Sequence, residues 1–226
     1  MNTYGLIFDM DGVLADTEAA NAKASIRMFE DRFGLYGVQR KDFEAGLGRG
    51  AEAYILAAAN IHGFSMTLEQ LENAVRTRQE YFMEILRSEP LPPFPGVMPL
   101  IQEALEAQDV GLAIATSSTR EKSMAVLAAA GIPYTKMLYL TGNDVIHKKP
   151  HPEIYLLTTE RLYLDPGRCV VIEDAPEGIE AALAAGCLCI AVTHSLPFSK
   201  LQRAHRVIES LEDINLDTLR SWIERG

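Results

Sequence analysis

Residues 4–13 have the sequence YGLIFDMDGV, in which a short apolar run is followed by two aspartates and a glycine. An apolar run of this length that stops at Asp9 predicts a buried strand ending in a turn. Asp9 and Asp11 are two positions apart, so their side chains lie on the same side of an extended segment. Two carboxylates placed in this way repel each other unless a cation lies between them or one is protonated. A solvated Asp-Gly turn is the alternative interpretation of this motif alone.

The sequence after this motif predicts helices. Apolar residues recur at three- and four-residue spacing over 22–33, and Gly34 ends the pattern. Two further helices are expected around 51–61 and 68–86. The segment PLPPFPG at 90–96 then excludes both a helix and a central strand, so it marks a boundary.

Strands and helices alternate beyond the proline-rich segment. Apolar runs predict three strands, at residues 110–115, 169–172 and 189–192. Residues 176–185 predict a helix that Gly186 ends. Short apolar strands separated by helices favour a parallel sheet covered on both faces. We therefore expect an α/β protein, with a Rossmann-like parallel sheet core of residues 1–15 and 91–226 and an inserted all-helical cap domain of residues 16–90.

The composition of the chain limits its partners. Its 226 residues carry a formal net charge of -10. An acidic surface repels phosphate backbones, so we expect no nucleic-acid partner. A small anionic substrate would need cations supplied locally, within its own site.

The cysteines and the N-terminal residues bear on localisation. An odd number of cysteines without a paired framework, Cys169, Cys187 and Cys189, favours a reducing compartment. Cys187 and Cys189 are better explained as buried strand residues than as a metal site. The N-terminal residues lack the basic region of a signal peptide, and no stretch approaches the ~18 apolar residues of a membrane span. We expect a cytoplasmic protein with no membrane partner.

Polar residues follow the predicted strands, where ligands bind in open parallel sheets. Besides the two aspartates, they are Thr116, Ser117, Ser118, Lys149, Glu173 and Asp174. Each cluster alone has a structural explanation as an N-cap, an exposed charge run or a complement to a helix dipole. Together they supply an oxygen-rich Mg²⁺ site, a carboxylate nucleophile, hydroxyl donors and a lysine. These are the components of a phosphoryl-transfer site.

Four segments together resemble the motifs of the haloacid dehalogenase-like hydrolases. They are IFDMDGV at 7–13, IATSS at 114–118, KPHP at 149–152 and VIEDAPEGI at 171–179. The resemblance covers essentially the whole chain. It is to the branch with a small helical cap, which includes beta-phosphoglucomutase and phosphoglycolate phosphatase-like enzymes.

The resemblance implies catalytic roles for three of these residues. Asp9 attacks phosphorus and becomes an aspartyl phosphate. Asp11 protonates the leaving oxygen and then deprotonates the incoming water or hydroxyl. Lys149 neutralises charge on the nucleophile and on the phosphoryl group. These roles agree with a weak nucleophile that works beside an acid–base partner two residues away.

The resemblance also implies the ligand contacts. Mg²⁺ is held by Asp9, Asp174 and the main-chain carbonyl of Asp11, with help from Glu173. Thr116, Ser117 and Ser118 bind the phosphoryl oxygens. In the cap, Glu18 and Arg49 are expected to contact the substrate. The implied substrate is a small phosphorylated metabolite, and we expect a monomer or a weak homodimer.

The resemblance implies a Mg²⁺-dependent phosphatase that hydrolyses a small phosphate monoester, either a sugar phosphate or a small-alcohol phosphate. Three other functions compete with it. Dehalogenases lack the second aspartate, so Asp11 argues against that chemistry. A hexose-phosphate mutase of this branch places a lysine and an arginine in its cap loop. Leu47 and Ala51 stand at those positions here, with Arg49 between them, so the pattern departs from that of the mutase. A non-catalytic protein that binds a phosphorylated ligand is disfavoured, because the set of catalytic residues is intact.

Overall fold

The computed structural model describes residues 2–47 and 50–225. The chain divides into two compact units, one made of Met1–Asp16 and Leu91–Gly226 and the other of Thr17–Pro90. No helix in the described part of the chain is long and apolar enough to cross a membrane.

The unit Thr17–Pro90 is helical. Its helices are α1 (Thr17–Phe33), α2 (Ala51–Ile61) and α3 (Leu68–Ser88). Thr67 caps α3, because its side chain accepts from the backbone N–H of Gln70 and the Gln70 side chain accepts in return. An aromatic cluster fills the centre of the unit, where Phe43 stacks on Tyr54 with 4.5 Å between the ring centroids.

The other unit contains a parallel sheet, as the sequence predicts. Its strands are β1 (Tyr4–Phe8), β2 (Val110–Ala115), β3 (Leu138–Leu140), β4 (Cys169–Glu173), β5 (Leu188–Val192) and β6 (Arg206–Ile208). Their order in the sheet is β3-β2-β1-β4-β5-β6, and every pairing is parallel. The prediction of a Rossmann-like α/β fold is confirmed. Strands β3 and β6 are not predicted by the sequence pattern, since three residues are too few to show a hydrophobic period.

Six helices accompany this sheet in the described residues. They are α4 (Val97–Glu106), α5 (Arg120–Ala129), α6 (Glu153–Leu162), α7 (Pro176–Ala185), α8 (Phe198–Leu201) and α9 (Leu216–Arg225). Helix α7 ends at Gly186, as predicted, with Gly186 in the left-handed conformation at φ +84°. Cys187 and Cys189 are buried and free, as is Cys169.

The register of the sheet determines where its functional residues lie. Strand β1 lies between β2 and β4, and Phe8 is paired with Ile114 on one side and Ile172 on the other. The three strands therefore end at the same level. On one side of β1 the chain proceeds through β2 and β3, and on the other side through β4, β5 and β6. Open parallel sheets bind their ligands at such a switch point.

Candidate active site

Asp9 lies at the centre of the carboxyl edge of the sheet. Its backbone N–H donates to the carbonyl of Ile172 at 3.0 Å, which keeps it in line with the end of β4. The residue is 7 % exposed. A buried carboxylate is costly unless it is paired, so the partners of Asp9 define the chemistry of the site.

Lys149 joins Asp9 to Glu173. Its Nζ lies 2.5 Å from Asp9 Oδ1, 2.7 Å from Glu173 Oε1 and 3.2 Å from the carbonyl oxygen of Ala115. The peptide bond between Lys149 and Pro150 is cis. Burial acts to lower the pKa of Lys149, but the charges of Asp9 and Glu173 outweigh burial and raise it. The lysine is therefore a fixed cation beside the central carboxylate.

Both oxygens of Glu173 are already engaged by donors. Oε1 accepts from Lys149 and from the hydroxyl of Tyr155, which lies 2.6 Å away, and Oε2 accepts from the backbone N–H of Asp174 at 3.1 Å. The carboxylate lies against Gly178 in the first turn of α7, where an added Cβ would come within 1.8 Å of Oε1. Gly178 thus leaves the space that Glu173 occupies, and Glu173 in turn orients Lys149.

Asp174 completes a group of three buried carboxylates. Oxygen atoms of Asp9, Glu173 and Asp174 lie within 4.8 Å of one another. Asp174 accepts a hydrogen bond from Ser195 and lies against Gly12, which has φ +75°. An added Cβ on Gly12 would come within 1.9 Å of Asp174 Oδ2, so only glycine allows this approach.

The electrostatics of this group favour a bound cation. Burial, followed by the charges of Glu173 and Asp9, raises the pKa of Asp174 well above its usual range. Burial also raises the pKa of Asp9, to about 7, although Lys149 opposes the shift. A divalent cation would relieve this repulsion, and an all-carboxylate donor set fits a hard ion such as Mg²⁺. Both oxygens of Glu173 already accept from protein donors, so Asp9 and Asp174 are the side chains best placed to hold it.

Asp11 is held by two donors from one segment. Ser118 Oγ donates to Asp11 Oδ2 at 2.7 Å, and Lys122 Nζ donates to Asp11 Oδ1 at 3.0 Å. Asp11 is more exposed than Asp9, with 31 % of its side chain accessible. A carboxyl group at the rim of a buried carboxylate cluster can reach a bound substrate.

The hydroxyl segment that follows β2 lies at the same edge. Thr116 is 1 % exposed, and its backbone N–H donates to the carbonyl of Leu140. Its Oγ1 accepts from the backbone N–H of Ser118 at 3.1 Å. Ser117 is half-buried, and its carbonyl is approached closely by Gly142. This segment leads into α5, where the backbone N–H groups of Arg120 and Lys122 already donate to side chains.

The loop that carries Asp11 is supported from the end of β5. His194 Nδ1 lies 3.0 Å from the carbonyl oxygen of Gly12, and the imidazole stacks on Phe94 at 3.9 Å between ring centroids. Burial lowers the pKa of His194, although the hydrogen bond to Gly12 opposes the shift. The neutral ring can then donate through Nδ1 and hold the Gly12 peptide.

Two predicted substrate contacts, Glu18 and Arg49, fall within the range Thr17–Pro90. Glu18 lies in the first turn of α1, and the hydroxyl of Tyr54 donates to its Oε1. Arg49 lies outside the described residues. The remaining predicted site residues, from Asp9 to Asp174, are brought together at the carboxyl edge of the sheet.

Sequence reasoning missed several residues of this site. Tyr155, Lys122 and Ser195 contact the predicted carboxylates directly. Tyr155 lies in the first turn of α6, where an aromatic residue is explained equally well as core. Lys122 had a usable signal, since a cation in the first turn of α5 opposes the helix dipole.

The chain is similar to known proteins over most of its length. The family model described as haloacid dehalogenase-like hydrolase matches residues 5–186. Hexitol phosphatase A of Escherichia coli is 30% identical over 96% of this chain and 95% of its own length. The phosphorylated carbohydrates phosphatase of Thermotoga maritima is 34% identical over 84% of this chain and 86% of its own.

A solved structure shows the same similarity in three dimensions. CbbY from Rhodobacter sphaeroides, in complex with xylulose-(1,5)bisphosphate, superposes with a TM-score of 0.80 and 26% identity. The match covers 97% of this chain and 99% of the CbbY chain. The solved structure therefore has the same fold as this chain over nearly its whole length.

Proposed function

Since the chain belongs to the haloacid dehalogenase-like hydrolases, we propose that it is a Mg²⁺-dependent phosphatase of small sugar or sugar-alcohol phosphates. Its enzyme class is that of a hydrolase acting on phosphate monoesters, as the names of its relatives indicate. The substrate class is taken from those relatives, which are named for hexitol phosphates and phosphorylated carbohydrates.

One observation carries the proposal: a buried carboxylate, Asp9, is paired with a buried lysine at the switch point of the sheet, with a second carboxylate two residues on. The Asp9–Lys149 pair fixes the nucleophile, since Lys149 holds Oδ1 at 2.5 Å. Asp11 stands at the rim, where a leaving oxygen can reach it. A nucleophile and an acid–base group in this relation suit a two-step phosphoryl transfer.

In the first step, an oxygen of Asp9 attacks phosphorus and the ester P–O bond breaks. Asp11 gives its proton to the leaving oxygen, so an alcohol departs and an aspartyl phosphate remains on Asp9. Lys149 faces the nucleophile and balances the negative charge that gathers there. Thr116 and the backbone near Ser117 bind phosphoryl oxygens and hold phosphorus in line.

In the second step, water attacks the aspartyl phosphate. Asp11, now ionised, takes a proton from the water, and the bond between Asp9 and phosphorus breaks. Inorganic phosphate leaves, and both carboxyl groups return to their initial states. The same residue serves as acid and then as base, as the sequence of proton transfers requires.

Mg²⁺ would be held by Asp9 and Asp174, with the main-chain carbonyl of Asp11 and assistance from Glu173. When bound, the ion neutralises charge on the phosphoryl oxygens. The buried group of carboxylates supports this part of the proposal, because burial and the charges of Glu173 and Asp9 raise the pKa of Asp174. Lys149 is shared between Asp9 and Glu173 and so leaves Asp174 to the metal.

We assign the catalytic core to residues 1–15 and 91–226 and the cap to residues 16–90. A helical cap would exclude bulk water during phosphoryl transfer and contact the alcohol part of the substrate. Glu18 and Arg49 are the cap residues proposed for that contact. The three free cysteines suit a reducing compartment, which supports a cytoplasmic location.

The experiment that tests this function is a screen of sugar and sugar-alcohol phosphates with Mg²⁺, in which release of inorganic phosphate is measured. A second arm uses beta-glucose 1-phosphate with a trace of glucose 1,6-bisphosphate and follows the phosphorus signals. Release of inorganic phosphate without isomerisation supports a phosphatase. Rapid conversion to glucose 6-phosphate with little free phosphate would instead identify a mutase, with Arg49 as the ligand of the second phosphate.

A further inference from the structure

Lys122 is a second lysine at the proposed site, outside the four family-like motifs. It lies in the first turn of α5, and its Nζ is 3.0 Å from Asp11 Oδ1. The lysine side chain is 20 % exposed, so most of its length is covered. The opposite oxygen of Asp11 accepts from Ser118. One continuous segment, residues 118–122, therefore engages both oxygens of the proposed acid–base group.

The position of Lys122 is unfavourable for the helix that carries it. A cation in the first turn opposes the helix dipole, which favours negative charge there. Arg120 is in the same turn, and its guanidinium is paired with Asp144 at 2.7 Å. The partner of Lys122 is instead a residue of the proposed site. A local cost of this kind is expected where function requires the residue.

We propose that Lys122 is a positioning residue for Asp11. Together with Ser118 it fixes the plane of the Asp11 carboxyl group relative to the segment that begins at Thr116. This assignment rests on the proposed function, because it requires Asp11 to be the acid–base group and Thr116 to bind the phosphoryl group.

The orientation of the Asp11 carboxyl group matters for general acid catalysis. A general acid works only when its oxygen is within about 2.6–3.2 Å of the leaving oxygen and is directed towards it. An aspartate side chain can rotate about two bonds, and donors on both oxygens remove that freedom. Since Ser118 and Lys122 belong to the segment that also carries Thr116, the acid and the phosphate-binding hydroxyl are held by one continuous segment.

The test compares Lys122→Met with the control Lys136→Met. Lys136 is exposed, and its substitution removes the same charge from another part of the unit that contains the sheet. Each enzyme is assayed on two substrates: the sugar phosphate that the wild type hydrolyses fastest, and nitrophenyl phosphate, whose leaving group needs little protonation. Thermal unfolding is measured first. If Lys122→Met does not fold, Lys122→Gln replaces it, because it keeps a polar side chain of similar length.

We expect Lys122→Met to lower kcat on the sugar phosphate by about 10- to 100-fold, a part of what a general acid contributes. On nitrophenyl phosphate the loss is expected to be less than about threefold, since that leaving group depends little on the acid. KM changes little on either substrate. Lys122→Arg restores most of the activity, and Lys136→Met behaves as wild type.

A double variant shows whether Lys122 acts through Asp11. In an Asp11→Asn background, Lys122→Met is expected to cost less than about twofold, because the residues work as one unit. An equal loss on both substrates, or a full loss in that background, overturns the proposal. A raised KM with unchanged kcat also overturns it and makes Lys122 a direct ligand of the substrate.

Failure of this inference is distinguishable from failure of the proposed function. A wild-type enzyme that releases no phosphate from any ester contradicts the phosphatase itself. If the wild type is active and Asp11→Asn shows the dependence on leaving group, the function stands, and an inert Lys122→Met removes only the role of Lys122.

Discussion

The hydroxyl of Tyr155 donates to the same oxygen of Glu173 that accepts from Lys149. The two donor atoms lie 2.6 Å and 2.7 Å from Glu173 Oε1, and the Lys149 ammonium is 4.8 Å from the centre of the Tyr155 ring. Tyr155 and Glu173 are both almost fully buried. A buried tyrosine, a glutamate and a lysine therefore form a continuous support behind Asp9.

Tyr155→Phe removes one hydroxyl from this support and keeps the ring. We expect kcat to fall by about tenfold, as for other residues that orient a functional group from behind. Glu173 would keep Lys149 as its main donor at Oε1 and draw it away from Asp9. We expect the free energy of unfolding to fall by ~1.5–3 kcal/mol, because the lost hydrogen bond is to a charged group. Steady-state kinetics and urea unfolding measure the two effects.

The matched control is Tyr4→Phe. Tyr4 lies at the opposite end of β1, and its hydroxyl donates to the carboxylate of Glu224 at 2.5 Å. This variant also loses a hydroxyl bound to a carboxylate, but it is far along the strand from Asp9 and is expected to keep its kcat. Equal kcat values for the two variants would contradict a role for Tyr155.

Asp9→Asn tests the nucleophile. Asparagine has nearly the same shape but cannot form a stable acyl phosphate, so we expect kcat to fall by at least about 10⁴-fold, on the scale of removing other covalent nucleophiles. Lys149 retains Glu173 as a partner, so the variant is expected to fold. Circular dichroism checks the fold, and phosphate release measures turnover. Near-normal turnover by the folded variant would remove Asp9 from this role.

Asp174→Ala tests the metal site. Because Asp174 is one of the two side chains best placed to hold the ion, we expect half-saturating Mg²⁺ to rise by at least about tenfold. Calorimetric titration with Mg²⁺ alone provides a readout that does not depend on turnover. Mg²⁺ should also raise the Tm of the wild type and not that of the variant. Full wild-type activity in excess chelator would contradict the metal assignment.

The sequence was sufficient to predict the residues that follow the strands. Asp9 and Asp11 show a two-residue spacing after an apolar run, and Glu173 and Asp174 end another run. Strand ends are local features, and parallel pairing brings them to one edge without further information. The sheet class followed from the same alternation of short apolar runs with helices.

The supporting residues could not be predicted in the same way. Tyr155 and Lys122 are placed by helices, and whether a helical residue meets a strand end depends on how the helix packs on the sheet. The need for Gly178 also appears only in three dimensions, since it depends on the position of the Glu173 carboxylate. Contacts between distant segments leave no period in the sequence.

The helical unit contains a carboxylate that links its stability to pH. Asp42 Oδ2 accepts from His62 Nε2 and from the backbone N–H of Gln39, each at 2.8 Å. The hydrogen bond from His62, followed by that from Gln39, lowers the pKa of Asp42 below its usual value. Because the pKa of Asp42 is lower in the folded state, the Asp42 charge stabilises the fold at pH values above the unfolded-state pKa of about 3.9. This stabilisation is lost as the pH falls through the folded-state pKa.

We therefore expect Asp42→Asn to be less stable than the wild type at pH 7, and the difference to shrink as the pH falls below about 4. Urea unfolding of both proteins between pH 7 and pH 3 measures it. Glu72→Gln, which removes an exposed carboxylate of α3, is the control and should change little. A difference that stays constant over this range would show that the Asp42 charge does not stabilise the fold.

Gly12 combines a left-handed backbone with a close approach to Asp174 in the proposed metal site, and the two requirements can be separated by substitution. In Gly12→Ala the new Cβ would lie within 1.9 Å of Asp174 Oδ2 and 2.3 Å of Ser195 Oγ, so Asp174 must move. Gly131 has a similar φ of +66° with no atom within 4 Å of an added Cβ, so Gly131→Ala introduces backbone strain alone. Both variants should lose about 1–2 kcal/mol of stability from that strain. Only Gly12→Ala should also lose Mg²⁺ affinity and turnover, as measured by calorimetric titration and phosphate release. Normal Mg²⁺ binding by Gly12→Ala would show that the contact between Gly12 and Asp174 does not shape the metal site.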